Sequence, residues 1–388
     1  MANIMKDYIY LDNAATTRVY PEVIQEMLPY FTEFYGNPAA VYSFAGVSKS
    51  KVEKARREIA SSINALPKEI YFTSGGSESD NWALIATAEA KKEQGKHIIT
   101  TKIEHHGILH TCEYLEKRGY EITYLEVDQY GLVSLDELEK NIRPDTTLIS
   151  VMTANNEIGT LEPIQKIGKI AHKHNVLFHT DAVQAYLKVD IDVKEMNIDM
   201  LSVSGHKVHG PKGIGFLYIN EKAKIPAFIH GGAQERQRRA GTHNVPGIVG
   251  MGKAVEIAER NMLNNKQKIE KLREHLIKRV LNEVPDTILN GHPTERVSNI
   301  VSFSFKNIEG EMLLIMLDQY KICVSSGSAC TAGSIDPSHV LLAIGKDKKA
   351  AKSTIRLSLS DENTIEEIDF TVDKIKEIVN RLRNMSLS

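Results

Sequence analysis

From Glu69 to His179 the chain alternates between short apolar runs and longer amphipathic ones, and this rhythm restricts the fold more than any single residue does. The runs Glu69–Thr73, His97–Thr101, Glu121–Val127, Thr147–Thr153 and Val176–His179 read as strands. Between them, Glu78–Lys92, Ile108–Lys117, Leu135–Ile142 and Ile164–His174 carry helical spacing. Strands that alternate with helices predict an α/β fold with a large, mostly parallel sheet covered by helices on both faces. In such sheets ligands sit beyond the carboxyl ends of the strands.

The texture changes after about Val245. Ile248–Val284 is a long, charged helical stretch. It is followed by strands at Asn299–Phe305, Ile322–Val324 and Thr354–Leu359, and by helices at Glu309–Leu317 and Ile365–Met385. Upstream, Tyr20–Phe34 and Lys49–Ile63 are expected helices, separated by a loop around Gly36, Asn37 and Pro38. The expected organisation is a large domain over residues 15–260 and a smaller α+β domain built from 1–14 and 261–388.

With 48 Lys and Arg against 50 Asp and Glu, the chain has no overall charge bias that would favour nucleic acid. No apolar run approaches the ~20 residues that span a bilayer, and Met1–Tyr8 lacks the apolar core of a signal peptide. Cys112, Cys323 and Cys330 show no C-x-x-C spacing and no disulfide framework. These features lead us to expect a cytoplasmic globular protein with neither a membrane nor a direct nucleic-acid partner.

The unusual residues collect where the strands end. Lys207 lies between two histidines in the turn S-G-H-K-V-H-G-P-K-G, with an apolar run on either side. A lysine held there can condense with a carbonyl cofactor, although a surface hairpin with an incidental lysine has the same local pattern. Asp181 follows the run Val176–His179, and a carboxylate at that edge can pair with a protonated ring nitrogen. An Asp after one strand and a Lys after a following strand fit pyridoxal phosphate far better than either residue alone. Gln184, three residues on, can reach the cofactor's phenolic oxygen, although a polar loop side chain has the same appearance. Thr73-Ser74-Gly75-Gly76-Ser77-Glu78 runs from strand to helix, so its backbone can close on a phosphate, with Ser77 also suited to capping the helix. It has neither P-loop nor dinucleotide spacing.

His105, in I-E-H-H-G, can lie flat on an aromatic ring and handle protons. A His-His pair can also bind metal, but no further ligand shares its spacing, so no metal is expected. Asn156 sits in a turn after the strand Thr147–Thr153. Arg356 stands within an apolar strand, where a substrate carboxylate would suit its fork. Cys330 lies in S-S-G-S-A-C-T-A-G-S, whose small residues present the thiol rather than bury it; an inert loop thiol has the same appearance.

Taken together, the chain resembles the cysteine desulfurases of the NifS/IscS type, in the fold-type-I pyridoxal-phosphate superfamily. The resemblance runs from Tyr10 to about Arg383 and rests on seven segments in one order. These are Y-L-D-N-A-A-T-T, T-S-G-G-S-E-S-D-N, A-N-N-E-I-G, H-T-D-A-V-Q, S-G-H-K-V-H-G-P-K-G-I-G, R-A-G-T and S-S-G-S-A-C-T. It implies that Lys207 carries the cofactor, Asp181 pairs with its ring nitrogen, His105 stacks on the ring and Gln184 meets the phenolic oxygen. Gly76, Ser77, Ser204 and His206 would hold the phosphate, with Thr242 arriving from the other subunit of a homodimer. Asn156 and Arg356 would bind the substrate carboxylate, with Asn37 nearby. Cys330 would take the sulfur of L-cysteine, releasing L-alanine, and pass it to an acceptor for iron–sulfur cluster assembly or tRNA thiolation. Rival expectations are a selenocysteine lyase, another fold-type-I aminotransferase, or a non-catalytic sulfur carrier.

Three places depart from the family pattern. Ala39-Ala40-Val41-Tyr42 follows Gly36-Asn37-Pro38 where many relatives have Ser-Ser-x-His. His243 follows Thr242, and Ser360-Asp361 replaces the usual Gly-Arg. The sequence also ends at Ser388 without the longer tail of IscS-type members, which leaves the acceptor open.

Overall fold

A computed structural model describes residues 8–326 and 337–386. Twelve strands are present among these residues. β1 is Ile9–Tyr10, β2 Ile70–Thr73, β3 His97–Thr101, β4 Glu121–Leu125, β5 Thr146–Ser150 and β6 Leu177–Asp181. β7 is Met200–Ser204, β8 Gly215–Ile219, β9 Thr287–Asn290, β10 Ile300–Phe305, β11 Ile322–Cys323 and β12 Thr354–Ser358. Seven of them form one sheet in the order β2-β8-β7-β6-β5-β3-β4. β8 is antiparallel to both its neighbours, and the other pairs are parallel. The α/β class and the large, mostly parallel sheet are as the sequence leads one to expect.

The direction of the strands explains why one edge of the sheet carries the chemistry. β2, β3, β5, β6 and β7 all point the same way, so the five loops that follow them open on one side. β2, β3, β5 and β7 are buried along their whole length, and β6 in all but its first residue. That is why their sequences read as continuous apolar runs rather than alternating ones.

Two large apolar clusters share the long helix Val245–Glu283. Its first turns, including Ile248, Met251 and Val255, pack into the core beneath the seven-stranded sheet. Leu272, Leu276 and Val280 pack instead against Phe303, Leu357, Ile368 and Ile375. This second core lies under the antiparallel sheet β12-β10-β9 and also takes in Leu11 from the start of the chain.

Local differences from the expected elements have identifiable causes. The helix expected over Tyr20–Phe34 is two pieces, Pro21–Met27 and Pro29–Thr32, because Pro29 has no N–H to continue the ladder. The helix expected from Lys49 starts at Ser43. Its first turns expose Phe44 and Val47, so they lack the one-sided apolar spacing that marks a packed helix. β9 gave no sequence signal; it is a four-residue edge strand with only its last residue buried.

Candidate active site

A cavity of about 400 Å³ opens at the shared strand edge, and residues from all five loops line it. Lys207 projects from the turn after β7, Asp181 ends β6, His105 follows β3, Asn156 follows β5, and Gly76 and Ser77 follow β2. Gln184, Ser204, His206 and Arg356 complete the expected set. Asn37 and Thr242 lie elsewhere, both exposed, and neither lines this cavity. Cys330 lies outside the described residues.

The two ends of the cavity differ in charge preference. At one end starts the 16-residue helix Gly76–Lys91, whose cap residue Gly75 makes no side-chain hydrogen bond to the first turn. Unclaimed N–H groups and the helix dipole at that position attract an anion. Gly75 has φ +155° and ψ −175°, a conformation essentially reserved for glycine. A Cβ on Gly215 of β8 would come within 2.7 Å of Gly75 Cα, so both glycines are needed for the loop to lie against β8. Ser204 and His206 flank the same end, with His206 Nδ1 3.1 Å from Thr16 Oγ1.

At the other end Asp181 is buried, with Oδ1 accepting the Val183 N–H at 2.9 Å. Burial pushes its carboxyl up to about 6, although the Val183 hydrogen bond and the charge of Lys207 pull the other way. Beneath it sits Asp80, fully buried, with Oδ1 lacking a hydrogen-bond partner. Burial first, and then the neighbouring Asp181 charge, push the Asp80 carboxyl well above the usual range, which favours its neutral form. Asp181 presents its carboxyl to the cavity, which Glu157 also lines. A cationic ring nitrogen is the partner such a site requires.

His105 caps the helix His106–Glu116, its Nδ1 accepting the Gly107 N–H at 3.0 Å. Burial first, then the charge of Lys207, depresses its pKa to about 4, so the ring is neutral at pH 7. With Nδ1 an acceptor, the proton resides on Nε2. Ligand atoms of Asp80, His105 and Asp181 lie within 4.8 Å of one another, a spacing a cation could bridge. His105 Nδ1 and Asp181 Oδ1 are already engaged with backbone N–H groups, and burial disfavours the charged form of Asp80. The set suits a ring cation better than a metal.

Lys207 lies between these ends. Its Nζ donates to Ala14 O at 2.5 Å and Ala15 O at 2.7 Å, in the turn that follows β1. Thr17 fastens that turn to the lysine loop, donating to His206 O at 2.9 Å and accepting from His209 N at 2.8 Å. The segment L-D-N-A-A-T-T is thus one wall of the site. A group with an anionic end, a basic ring nitrogen and a carbonyl between them matches these features, and pyridoxal phosphate has all three.

Arg356 differs in detail from its expected setting. Its Nη1 donates to Asn156 O and its Nη2 to Asp12 Oδ1, both at 2.8 Å, while the buried Nε has no partner among the described residues. The guanidinium is therefore held in place by a carboxylate from the N-terminal segment before any substrate arrives. The sequence reading did not single out Asp80, Glu157 and His339, which line the cavity, or Asp12, which holds Arg356. Asp80 could have been found as the one acid on the buried face of a helix that also carries Trp82, Ala83 and Leu84. Asp361, at one departure from the family pattern, accepts from Tyr20 Oη at 3.0 Å and from Asn265 Nδ2 at 3.2 Å. It ties the end of β12 to the long helix rather than entering the main cavity.

Fold and site together define a family. The chain belongs to the aminotransferase class-V family, whose model matches residues 9–370. Among its relatives, the cysteine desulfurase IscS of Methanosarcina thermophila is 53% identical over 378 residues, covering 97% of this chain and 93% of that protein. The cysteine desulfurase IscS of Dictyoglomus turgidum is 47% identical over 98% of this chain and 97% of that protein. Among solved structures, a NifS-like protein superposes with a TM-score of 0.91 at 40% identity, covering 96% of this chain and 100% of that one. SspA in complex with cysteine gives a TM-score of 0.82 at 39% identity, covering 92% and 100%.

Proposed function

We propose that this cavity binds pyridoxal phosphate and L-cysteine, and that the chain is a cysteine desulfurase that hands the sulfur on through Cys330. The observation that carries the assignment is that Lys207, the buried carboxyls of Asp181 and Asp80, and the start of the helix Gly76–Lys91 all line one cavity. When bound, pyridoxal phosphate supplies an electrophilic carbonyl and a protonated ring that draws electrons from the carbon attached to it. Gly76, Ser77, Ser204 and His206 would hold the phosphate, Asp181 the ring nitrogen and Gln184 the phenolic oxygen, with His105 beside the ring. Lys207 would anchor the cofactor's carbonyl, and its free amine would move the proton at the substrate's Cα. Arg356 and Asn156 orient the substrate carboxylate.

The Cys330 thiolate attacks the sulfur of L-cysteine. An S–S bond forms as the Cβ–S bond breaks, and the electron pair left on the carbon skeleton is protonated to give L-alanine. A sulfur-acceptor protein then takes the outer sulfur, either an iron–sulfur scaffold or a tRNA-thiolation enzyme. A homodimer is supported by the exposed apolar side chains Leu28, Phe31, Tyr35, Val41, Tyr42 and Phe44, close together in sequence, of which Tyr35 and Phe44 meet edge to face. Exposed Thr242 fits a role at a partner's phosphate. No helix among the described residues is long and apolar enough to cross a membrane, and we place the protein in the cytoplasm.

The direct test supplies the loaded protein with L-cysteine and a thiol reductant and measures alanine and sulfide together. Equal amounts are expected from the wild type. Cys330→Ala should stop both, and sulfide release at the wild-type rate from that variant would remove the assignment in favour of another aminotransferase-type reaction. Arg356→Lys should raise KM for L-cysteine about 10- to 100-fold, since one hydrogen bond to a charged group is worth roughly 1.5–3 kcal/mol. An unchanged KM would separate Arg356 from substrate binding.

A further inference from the structure

Lys188 has no place in the chemistry above, yet it lies beneath one of the residues that has. It lines a second, smaller cavity of about 70 Å³ that meets the main one only at Lys207. Its Nζ donates to Gln184 O at 3.1 Å and to Gln184 Oε1 at 3.4 Å. Leu187, just before it, adopts φ +58°, a left-handed conformation that is unfavourable for a non-glycine residue. That strained residue folds the chain back so that Lys188 lies under Gln184, four positions earlier. Burial first, and then the charge of Lys207, bring its pKa down to about 7. Burial likewise lowers His206 and His209, with the charge of Lys188 a lesser contributor to each. Among the described residues around the second cavity the one carboxylate is Asp361, which is engaged with Tyr20 and Asn265 and lies 3.6 Å from His209 Nε2.

The contact decides which way the Gln184 amide points. Gln184 Nε2 donates to Ala14 O at 2.9 Å, and Oε1 faces the lysine. Reversing the amide would set oxygen against the Ala14 carbonyl and an NH₂ against the ammonium, so two attractions would become two repulsions. With Oε1 turned to Lys188, the amide has one N–H left, and Gln184 lines the main cavity.

We propose that Lys188 is a positioning residue: from the second cavity it fixes the Gln184 amide as a hydrogen-bond donor toward the cofactor's phenolic oxygen. The proposal rests on the reading of the main cavity as the pyridoxal phosphate site. Donation to that oxygen favours its anionic form and so lowers the pH at which the lysine-linked chromophore loses its proton.

The test is a spectroscopic pH titration of the full-length, cofactor-loaded protein and of Lys188→Met, Gln184→Leu and the double variant. Lys188→Met should raise the midpoint of the visible band by about 1 unit, as expected for losing one oriented donor, and Lys188→Arg should restore it. In the Gln184→Leu background, Lys188→Met should move the midpoint by less than about 0.3 unit, because the lysine acts through the amide. A shift of equal size in both backgrounds would show a direct field effect and overturn the proposal, as would a midpoint that Lys188→Met leaves in place. Lys188→Ala serves the same comparison if the methionine variant does not fold. Wild-type protein that takes up no cofactor would refute the site itself, an outcome distinct from either of these.

Discussion

Lys207→Ala is expected to lower turnover of L-cysteine by roughly 10⁴-fold, the upper end of what one positioned proton-transfer group contributes, while leaving a folded protein that still holds the cofactor. The side chain is only half-buried, and the two carbonyls that it serves, Ala14 O and Ala15 O, line a cavity that water can enter. Losing those hydrogen bonds costs at most about 1 kcal/mol each. The backbone at the start of the helix Gly76–Lys91 and the Val183 hydrogen bond that holds Asp181 do not involve the lysine side chain, so binding should weaken without disappearing. Lys207→Arg should not rescue, because a guanidinium does not give up its proton near neutral pH. Alanine formation measured beside thermal unfolding separates the two effects. A variant that kept a tenth of the activity with unchanged stability would exclude Lys207 as the proton carrier.

Glu235→Leu is expected to destabilise the fold by about 3–5 kcal/mol, the usual penalty for removing one partner of a buried ion pair. Arg56 is 3% exposed, and its Nη1 and Nη2 meet Glu235 Oε2 and Oε1 at 2.8 and 2.7 Å. Glu235 also accepts the Phe72 N–H at 2.9 Å and lies 2.7 Å from His243 Nε2. The pair anchors an unusual segment, since Glu235, Arg236 and Gln237 all have positive φ, at 44°, 57° and 64°. Such a left-handed run is unfavourable for L-residues and needs an outside hold. His243, one of the departures from the family pattern, completes that hold and thereby fixes the arm carrying Thr242. Replacing both Arg56 and Glu235 by apolar residues should recover part of the loss, because no uncompensated charge then remains buried.

The same pair sets an acid limit. Burial alone would raise the Glu235 carboxyl, but the hydrogen bonds from Arg56 and His243 and the Arg56 charge outweigh it and bring the pKa from 4.5 down to about 2. A carboxyl depressed in the folded state contributes stability that is complete above pH 4.5 and is lost as the pH falls toward about 2. Urea midpoints should therefore fall over that window in the wild type and show less dependence in Glu235→Leu. An identical slope in both would exclude the pair as the source.

Much of this molecule was legible in one dimension. The apolar runs gave the strands of the parallel sheet because residues buried on both faces leave no polar alternation. Lys207, Asp181, His105 and Gly76 stood out because each is a polar or small residue placed just where a run ends. Backbone direction then made their meeting unavoidable, since parallel strands deliver their following loops to one edge. Only tertiary structure decided what those side chains touch. Asp12 reaches Arg356 across 344 residues, Glu235 reaches Arg56 across 179, and Ala14 offers its carbonyl to Lys207 across 193. No local pattern encodes such pairs, because a buried charge is satisfied by whatever the packing of distant segments brings within hydrogen-bond range. The raised pKa of Asp80 and the lowered pKa of Lys188 likewise follow from burial and neighbouring charge, which exist only once the chain is folded.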